Sequence, residues 1–383
     1  MTRVEGDWVS AEPTQAVFRA LTDVGHKAYF VGGCVRNALI GAPVSDIDIS
    51  TDARPDRVTE LVESAGLKAV PTGIDHGTVT VVSGGIPHEI TTFRRDIKTD
   101  GRRAVVAYSD AVIDDARRRD FTINAIYACA DGVVLDPLNG LPDLEARRIR
   151  FIEDADKRIK EDFLRILRFF RFYAWYGDPA GGMDAEGLAA CAANISGIES
   201  LSKERIGAEM KKLLSAPDPA PAVAAMQHTG VIQCVLPGSD AKALSVLVHV
   251  EQETKTPPDP IRRLAVLGGN GQGEALRLSR DEMRKLDLLV ENVGLGSAAA
   301  VLGYKLGEKA AFDVWLLRSA LLETAFPPNV RLEIQRGTKA VFPVKAADLM
   351  PDLTGESLGA HLRHLESEWI ASDFKLTKDV LLS

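Results

Sequence analysis

Cysteine is scarce in this chain: four occur in 383 residues, at Cys34, Cys129, Cys191 and Cys234, with no Cys-x-x-Cys spacing. Such scatter excludes a disulfide framework or a zinc module and fits a reducing, cytoplasmic setting. No run reaches the ~18 uninterrupted apolar residues of a membrane-spanning helix, so no membrane partner is expected. The opening Met1-Thr-Arg-Val-Glu-Gly-Asp-Trp8 has no apolar stretch and does not read as a secretory signal. Positive charge is also in deficit, with 46 Lys and Arg against 54 Asp and Glu and a net charge of -8. That total weighs against a polyanionic partner, but binding depends on local patches. Arginine is in fact clustered, at Arg94-Arg95, Arg102-Arg103, Arg117-Arg118-Arg119, Arg147-Arg148 and Arg165, Arg168 and Arg171.

The length allows two or three domains. Up to about residue 145, β-rich runs alternate with helical patterns. Ala28-Tyr-Phe-Val31, Asp46-Ile-Asp-Ile49, Thr78 to Val82 and His88 to Phe93 read as strands, with Ser83-Gly84-Gly85 as a hairpin turn. Beyond that point helical periodicity dominates. Phe163, Ile166, Leu167, Phe170 and Ala174 form one apolar stripe, and further helices are expected around 203–215, 239–253, 281–293, 308–324 and 355–370. The fold class expected is α+β, an α/β head followed by an all-helical remainder.

Most of the chemistry lies in Val31-Gly-Gly-Cys-Val-Arg36 and Ser45-Asp-Ile-Asp-Ile-Ser50. Gly32 and Gly33 at a strand-to-helix turn let the backbone approach a ligand, and the helix start offers N–H groups to a phosphate. Arg36, one turn in, adds charge to the same anion. Asp46 and Asp48, two apart on a strand, project from one face. Side-by-side carboxylates repel unless a cation sits between them, and oxygen-only ligands suit Mg²⁺ or Mn²⁺ bound with substrate phosphates. Two such ions activate an attacking hydroxyl and stabilise departing pyrophosphate. Alone, a Gly-Gly turn or an Asp-x-Asp strand edge has a plain structural reading; their order along the chain argues for a site. Glu89, alternating with Ile90, is either a third carboxylate for the same metals or an outward-facing strand acid.

Gly32-Gly-Cys-Val-Arg36 with Asp46-Ile-Asp48 resembles the signature of class II tRNA nucleotidyltransferases and bacterial poly(A) polymerases, in the polymerase-β superfamily. Four further segments resemble that family in order: Glu89 to Arg95; Arg117-Arg-Arg-Asp-Phe-Thr-Ile-Asn-Ala125; Glu161-Asp-Phe-Leu-Arg-Ile-Leu-Arg168; and Ile198 to Leu214 with Ser202-Lys-Glu-Arg-Ile206. The resemblance spans roughly residues 28–215. It implies a polymerase-β-like nucleotidyltransferase head over 1–145, a helical neck over 146–215 that recognises the base, and a helical body and tail over 216–383 that binds tRNA. It assigns catalysis to Asp46, Asp48 and Glu89, with Asp46 and Asp48 as metal ligands. Nucleotide binding falls to Gly32, Gly33, Arg36, Arg119, Asp120, Asp162 and Arg165, with Arg168 and Arg171 holding phosphate or the RNA end. One departure is Asn37, where the family usually carries Asp; tuning, rather than loss of activity, is expected.

Adding a defined sequence without a template requires protein groups that read a base edge. On the helix expected over 161–174, Asp162, Arg165, Arg168 and Arg171 lie opposite the apolar stripe. A carboxylate acceptor beside a guanidinium donor suits C and A, which both carry an amino donor next to a ring-nitrogen acceptor. U and G reverse that polarity and leave buried groups unpaired. The polar stretch Arg94 to Arg103 reads as a mobile loop beside the active site; in the resembled family a loop there accompanies the switch from C to A addition. The expected activity is therefore metal-dependent CCA addition to tRNA from CTP and ATP. Its alternatives are a poly(A) polymerase, for which a basic tail would be expected, an A-adding tRNA nucleotidyltransferase, and an RNA-binding protein that keeps the fold without catalysis. The sequence carries no signal of oligomeric state.

Overall fold

The structure is a computed structural model that describes residues 2–73, 77–100, 103–350 and 353–383. It divides into two compact units: Met1–Ala241 with Gly269–Arg277, and Lys242–Gly268 with Leu278–Ser383. No helix among the described residues is long and apolar enough to cross a membrane.

The first unit holds the strands, β1 Ala28–Val31, β2 Ile47–Thr51, β3 Lys68–Gly73, β4 Thr78–Ser83, β5 Ile86–Thr92, β6 Arg94–Asp100, β7 Arg103–Tyr108, β8 Tyr127–Ala128 and β9 Val134–Leu135. Seven of them form one sheet in the order β3-β4-β5-β2-β1-β8-β9. All its pairings are antiparallel except β2 with β5, which sets Asp48 beside Glu89. The β4–β5 turn is the Gly84-Gly85 pair expected from the sequence. Both glycines have positive φ, 57° and 81°, as a two-residue hairpin of the primed type demands.

The stretch expected to be a loop at 94–103 is different. β6 and β7 pair as a separate antiparallel ribbon, with a register shift between Asp96 and Lys98; residues 101 and 102 lie outside the described residues. Its charge concealed a strand, because sheet pairing is a backbone property that polar side chains tolerate at an edge.

The helix expected over 161–174 is also corrected. Two helices, Ala155–Glu161 and Leu164–Tyr176, meet at a break where Asp162 is extended at φ -155°. The stripe residues Ile166, Leu167 and Phe170 are buried, but so are Phe169, Phe172 and Tyr173. The second helix is therefore enclosed on more than one side. Phe121 and Phe151 stack into it, with ring centroids 5.0 Å (Phe121–Phe172) and 5.3 Å (Phe151–Phe169) apart. These contacts tie the Asp-Phe-Thr-Ile-Asn segment to the helix that follows, each ring pair adding about 0.5–1.5 kcal/mol beyond area burial.

The second unit is helical, with Lys242–Glu253, Pro260–Leu267, Arg280–Val293, Ala299–Leu321, Val330–Thr338 and Gly355–Ala371 as its longer helices. The expected helix at 308–324 begins earlier and bends at Gly307, whose φ of 77° is outside the helical range. A buried charge cluster sits among these helices. Glu251 accepts from Arg262 Nε at 2.8 Å and from Arg263 Nε at 2.9 Å, while Arg262 Nη1 donates to Asp313 at 2.6 Å. Glu251→Ala leaves two buried guanidiniums facing one remaining carboxylate. We expect it to destabilise this unit by about 3–5 kcal/mol, measured by urea unfolding followed by circular dichroism. A loss under about 1 kcal/mol would show that the cluster does not hold the helices together.

Candidate active site

The site is assembled at the end of β1. Gly32 has φ 71° and ψ -122°, a conformation that a side chain would strain, and the helix Gly33–Leu39 starts directly after it. Asp46 precedes β2 and is exposed, accepting from Ser45 Oγ at 2.9 Å; Asp48 lies on β2 and is half-buried. Burial, then the neighbouring Glu89 and Asp46 carboxylates, push the Asp48 carboxyl up to about 6, against the opposing pull of Arg119 and Arg36. A group so reluctant to ionise is what a divalent cation would relieve, and the hard-oxygen donors suit one. Among the described residues no set of three or more His, Cys, Asp or Glu side chains is placed to hold a metal. Asp46 and Asp48 fit a cation only together with ligands from elsewhere, such as substrate phosphates. Glu89 is exposed beside Asp48 and is not part of a three-carboxylate cage.

Arg36 does not reach outward as the sequence suggested. It is 6% exposed, and all three of its nitrogens donate within the protein. Nε and Nη2 bond the Asn37 amide oxygen at 3.2 and 3.0 Å, Nη1 bonds Asn124 Oδ1, and Nη2 also bonds the Tyr176 hydroxyl at 2.9 Å. The guanidinium lies 4.0 Å from the Tyr176 ring centroid. Arg36 is thus a brace between the glycine turn and the end of the Leu164–Tyr176 helix. Asn37 keeps the acceptor that orients it, and its own Nδ2 donates to Pro43 O at 2.8 Å.

Arg119 is brought to the glycine turn instead: a Cβ on Gly32 would lie 3.4 Å from its Nη1. Asp120 is buried. Its Oδ1 accepts from Phe121 N and Asn124 Nδ2, both at 2.9 Å, and its Oδ2 accepts from Arg168 Nε at 2.8 Å. Burial pushes Asp120 upward, but Arg168 and Asn124 outweigh it and hold the carboxyl well below the usual range. An unbroken chain of bonds therefore runs from Arg36 through Asn124 and Asp120 to Arg168.

Asp162 and Arg165 are both half-buried, yet each is held by other partners rather than by the other. Asp162 accepts from Leu164 N at 3.1 Å and from Arg205 Nη2 at 2.6 Å. Arg165 donates to the Arg158 carbonyl at 2.6 Å, to the Arg118 carbonyl at 3.3 Å, and to Glu161. Arg171 is tied to Glu209 at 2.6 Å, and burial lowers its pKa despite that partner. Sequence reasoning missed Asp115, Asn124, Glu161, Tyr176, Arg205 and Glu209. Arg205 and Glu209 lie within the recognised 198–214 segment, which was the available signal. Asp115, in the first turn of a short helix, carried none.

Comparison with known proteins bears on this arrangement. The family profile described as "Poly A polymerase head domain" matches residues 28–150, and that described as "Probable RNA and SrmB- binding site of polymerase A" matches 183–242. The mouse protein named CCA tRNA nucleotidyltransferase 1, mitochondrial, is 32% identical over 94% of this chain and 86% of its own length. A CCA-adding enzyme of Geobacillus thermodenitrificans is 38% identical over 58% of this chain and 54% of its own. The crystal structure of the Bacillus stearothermophilus CCA-adding enzyme in complex with CTP superposes with a TM-score of 0.75 at 26% identity, covering 94% of each chain.

The raised Asp48 pKa has a stability consequence. The fold binds this proton more tightly than the unfolded chain does, about 6 against 3.8. Asp48 therefore costs nothing extra below pH 4, costs progressively more as pH rises to 6, and stays costly above. In chelator-containing buffer, Asp48→Asn should raise stability at pH 8 by about 1–2 kcal/mol, after discounting for partial exposure, and leave it unchanged at pH 4. Thermal melts showing the same gap at both pH values would dissociate the effect from ionisation of Asp48.

Proposed function

We infer from membership of the CCA tRNA nucleotidyltransferase family, to which this chain belongs, that it adds C and A nucleotides from CTP and ATP to tRNA 3′ ends, releasing pyrophosphate. The observation that carries the reading is the pair Asp46 and Asp48, at the start of β2 beside Arg119 and the Gly32 turn, within the same unit as Asp162 and Arg165. Asp46 and Asp48 would hold Mg²⁺, with Mn²⁺ as the alternative. Held there with the nucleotide, such an ion would supply Lewis acidity for the tRNA 3′-hydroxyl and charge neutralisation for the leaving pyrophosphate. Glu89, in register with Asp48 on the neighbouring β5, adds negative charge that favours a divalent over a monovalent cation. Arg119 holds the nucleotide phosphates at the glycine turn, while Gly32 and Gly33 let them approach the backbone.

Asp162 offers an acceptor and Arg165 a donor to the base edge, and both are pre-set by Arg205 and Glu161 before the nucleotide arrives. That pre-setting supports choice by protein alone: a base of reversed polarity would displace established bonds without replacing them. Asp120 orients Arg168, and Arg168 with Arg171 takes the phosphate or the RNA end. We divide the work among a head over 1–145, a neck over 146–215 and a body and tail over 216–383. The last would grip tRNA by shape and phosphate contacts. A cytoplasmic site of action belongs to the same proposal, and fractionation of cells that make the protein decides it, since the mouse relative's name is a mitochondrial one.

The test uses Mg²⁺, labelled CTP and ATP, and tRNA transcripts ending at the discriminator base, at C or at CC. Completed CCA on all three is expected. Products stopped at CC, action on CC ends alone, or A tracts on any RNA would each replace the reading with one of its relatives. Asp162→Ala should widen acceptance of UTP and GTP by about tenfold, the scale of one lost polar discrimination, while leaving the Mg²⁺ requirement unchanged. Unaltered selectivity would remove Asp162 from base reading.

A further inference from the structure

Asp115 is fully buried, and the sequence gives it no role. It lies in the helix Val112–Arg117, directly before the arginine run. Its Oδ1 accepts from Arg118 Nε at 2.7 Å. Its Oδ2 accepts from Arg119 Nε at 3.3 Å and Nη2 at 3.0 Å, from the Tyr127 hydroxyl at 2.8 Å, and from Ser50 Oγ at 3.2 Å. The two hydroxyls complete a ring: Tyr127 accepts from Arg119 Nε and Ser50 from Arg119 Nη2, both at 3.2 Å. Each hydroxyl thus donates to the carboxylate and accepts from the guanidinium.

This ring fixes one edge of a planar fork. Among the described residues, the hydrogen bonds of Arg119 run through Nε and Nη2, whereas Nη1 is the atom turned to the Gly32 turn, 3.4 Å from where a Cβ would stand. Ser50 is two residues along β2 from Asp48, on the same face of the strand. The anchor therefore rests on the strand that carries the catalytic carboxylate. Because Asp115 is shared with Arg118, the cluster keeps a positive charge.

We propose that Asp115 is the positioning residue of nucleotide binding: through the Ser50–Tyr127 ring it locks the Nε–Nη2 edge of Arg119 and presents Nη1 to the nucleotide phosphates beside Asp48. The proposal rests on the nucleotidyltransferase reading above. It is specific to the nucleotide, so the tRNA should not sense it.

The experiment is a double-mutant cycle on the full chain, reading kcat and KM for CTP and for tRNA, with thermal melts as the fold control. Asp115→Asn and Arg119→Ala should each raise KM for CTP by about tenfold or more, the scale of a lost charge-assisted bond, with KM for tRNA unchanged. The double variant should be no worse than Arg119→Ala alone. Multiplying effects, or equal losses for CTP and tRNA, would make Asp115 a structural charge and overturn the proposal. Should Asp115→Asn not fold, Ser50→Ala and Tyr127→Phe keep the charge and open the ring. Each should raise KM for CTP about two- to fivefold in the wild-type background and not at all in Arg119→Ala. An effect that persists in Arg119→Ala again overturns it. A wild-type protein that transfers nucleotide while Arg119→Ala leaves KM for CTP unaltered would instead sink the role given to Arg119, and a wild type without transfer would sink the parent reading.

Discussion

Sharing of one carboxylate between two guanidiniums is the interaction on which the first unit depends. Asp115 serves Arg118 and Arg119, Asp143 serves Arg148 and Arg150, Glu161 serves Arg158 and Arg165, and Glu209 serves Arg168 and Arg171. Two guanidiniums about 4 Å apart repel by about 4 kcal/mol at an effective dielectric of 20, so each pair requires its acid to coexist. The stoichiometry also leaves these clusters positive, except where Asp120 adds a second carboxylate to Arg168. A chain of net charge -8 can in this way offer a polyanion a locally cationic interior. Where both guanidiniums are largely buried, as at Asp115 and Glu161, removing the acid is costlier than removing either arginine, because it strands two charges instead of one.

The parts that were legible in the sequence are those written in backbone preference. Gly32 holds a positive φ, Gly84-Gly85 makes the primed hairpin, and the alternation at 46–49 marks the strand. The expected long helices also appear, because their apolar periodicity is strong enough to survive tertiary context. What failed to show was direction. Spacing puts Arg36 one turn into a helix near the glycines, but it does not say that Tyr176, far along the chain, would draw the guanidinium inward. Asp162 looked helical because the apolar stripe starts at Phe163; the chain instead breaks there so that its carboxylate caps Leu164 and meets Arg205. Asp115 carried no signal in the sequence, and only the folded sheet shows that it is buried.

Asn37 is understood in the same terms. An aspartate there would give Arg36 a neighbouring negative charge. With the amide, the carboxylates that act on Arg36 are Asp120, which is also bound to Arg168, and Asp48. The amide oxygen keeps the geometry through two bonds and leaves the charge less compensated, and burial lowers the Arg36 pKa. Asn37 therefore preserves the brace, and the Asn124–Asp120 chain links it to Arg168 on the Leu164–Tyr176 helix.

Stability and activity are consequently located in different places. At the site, Asp48 resists ionisation and Arg36 and Arg171 are desolvated, so each would be more comfortable in water. Beside Arg36 and Arg171, the Phe121–Phe151–Phe169–Phe172 packing buries aromatic surface at the junction where the Asp-Phe-Thr-Ile-Asn segment meets the Leu164–Tyr176 helix.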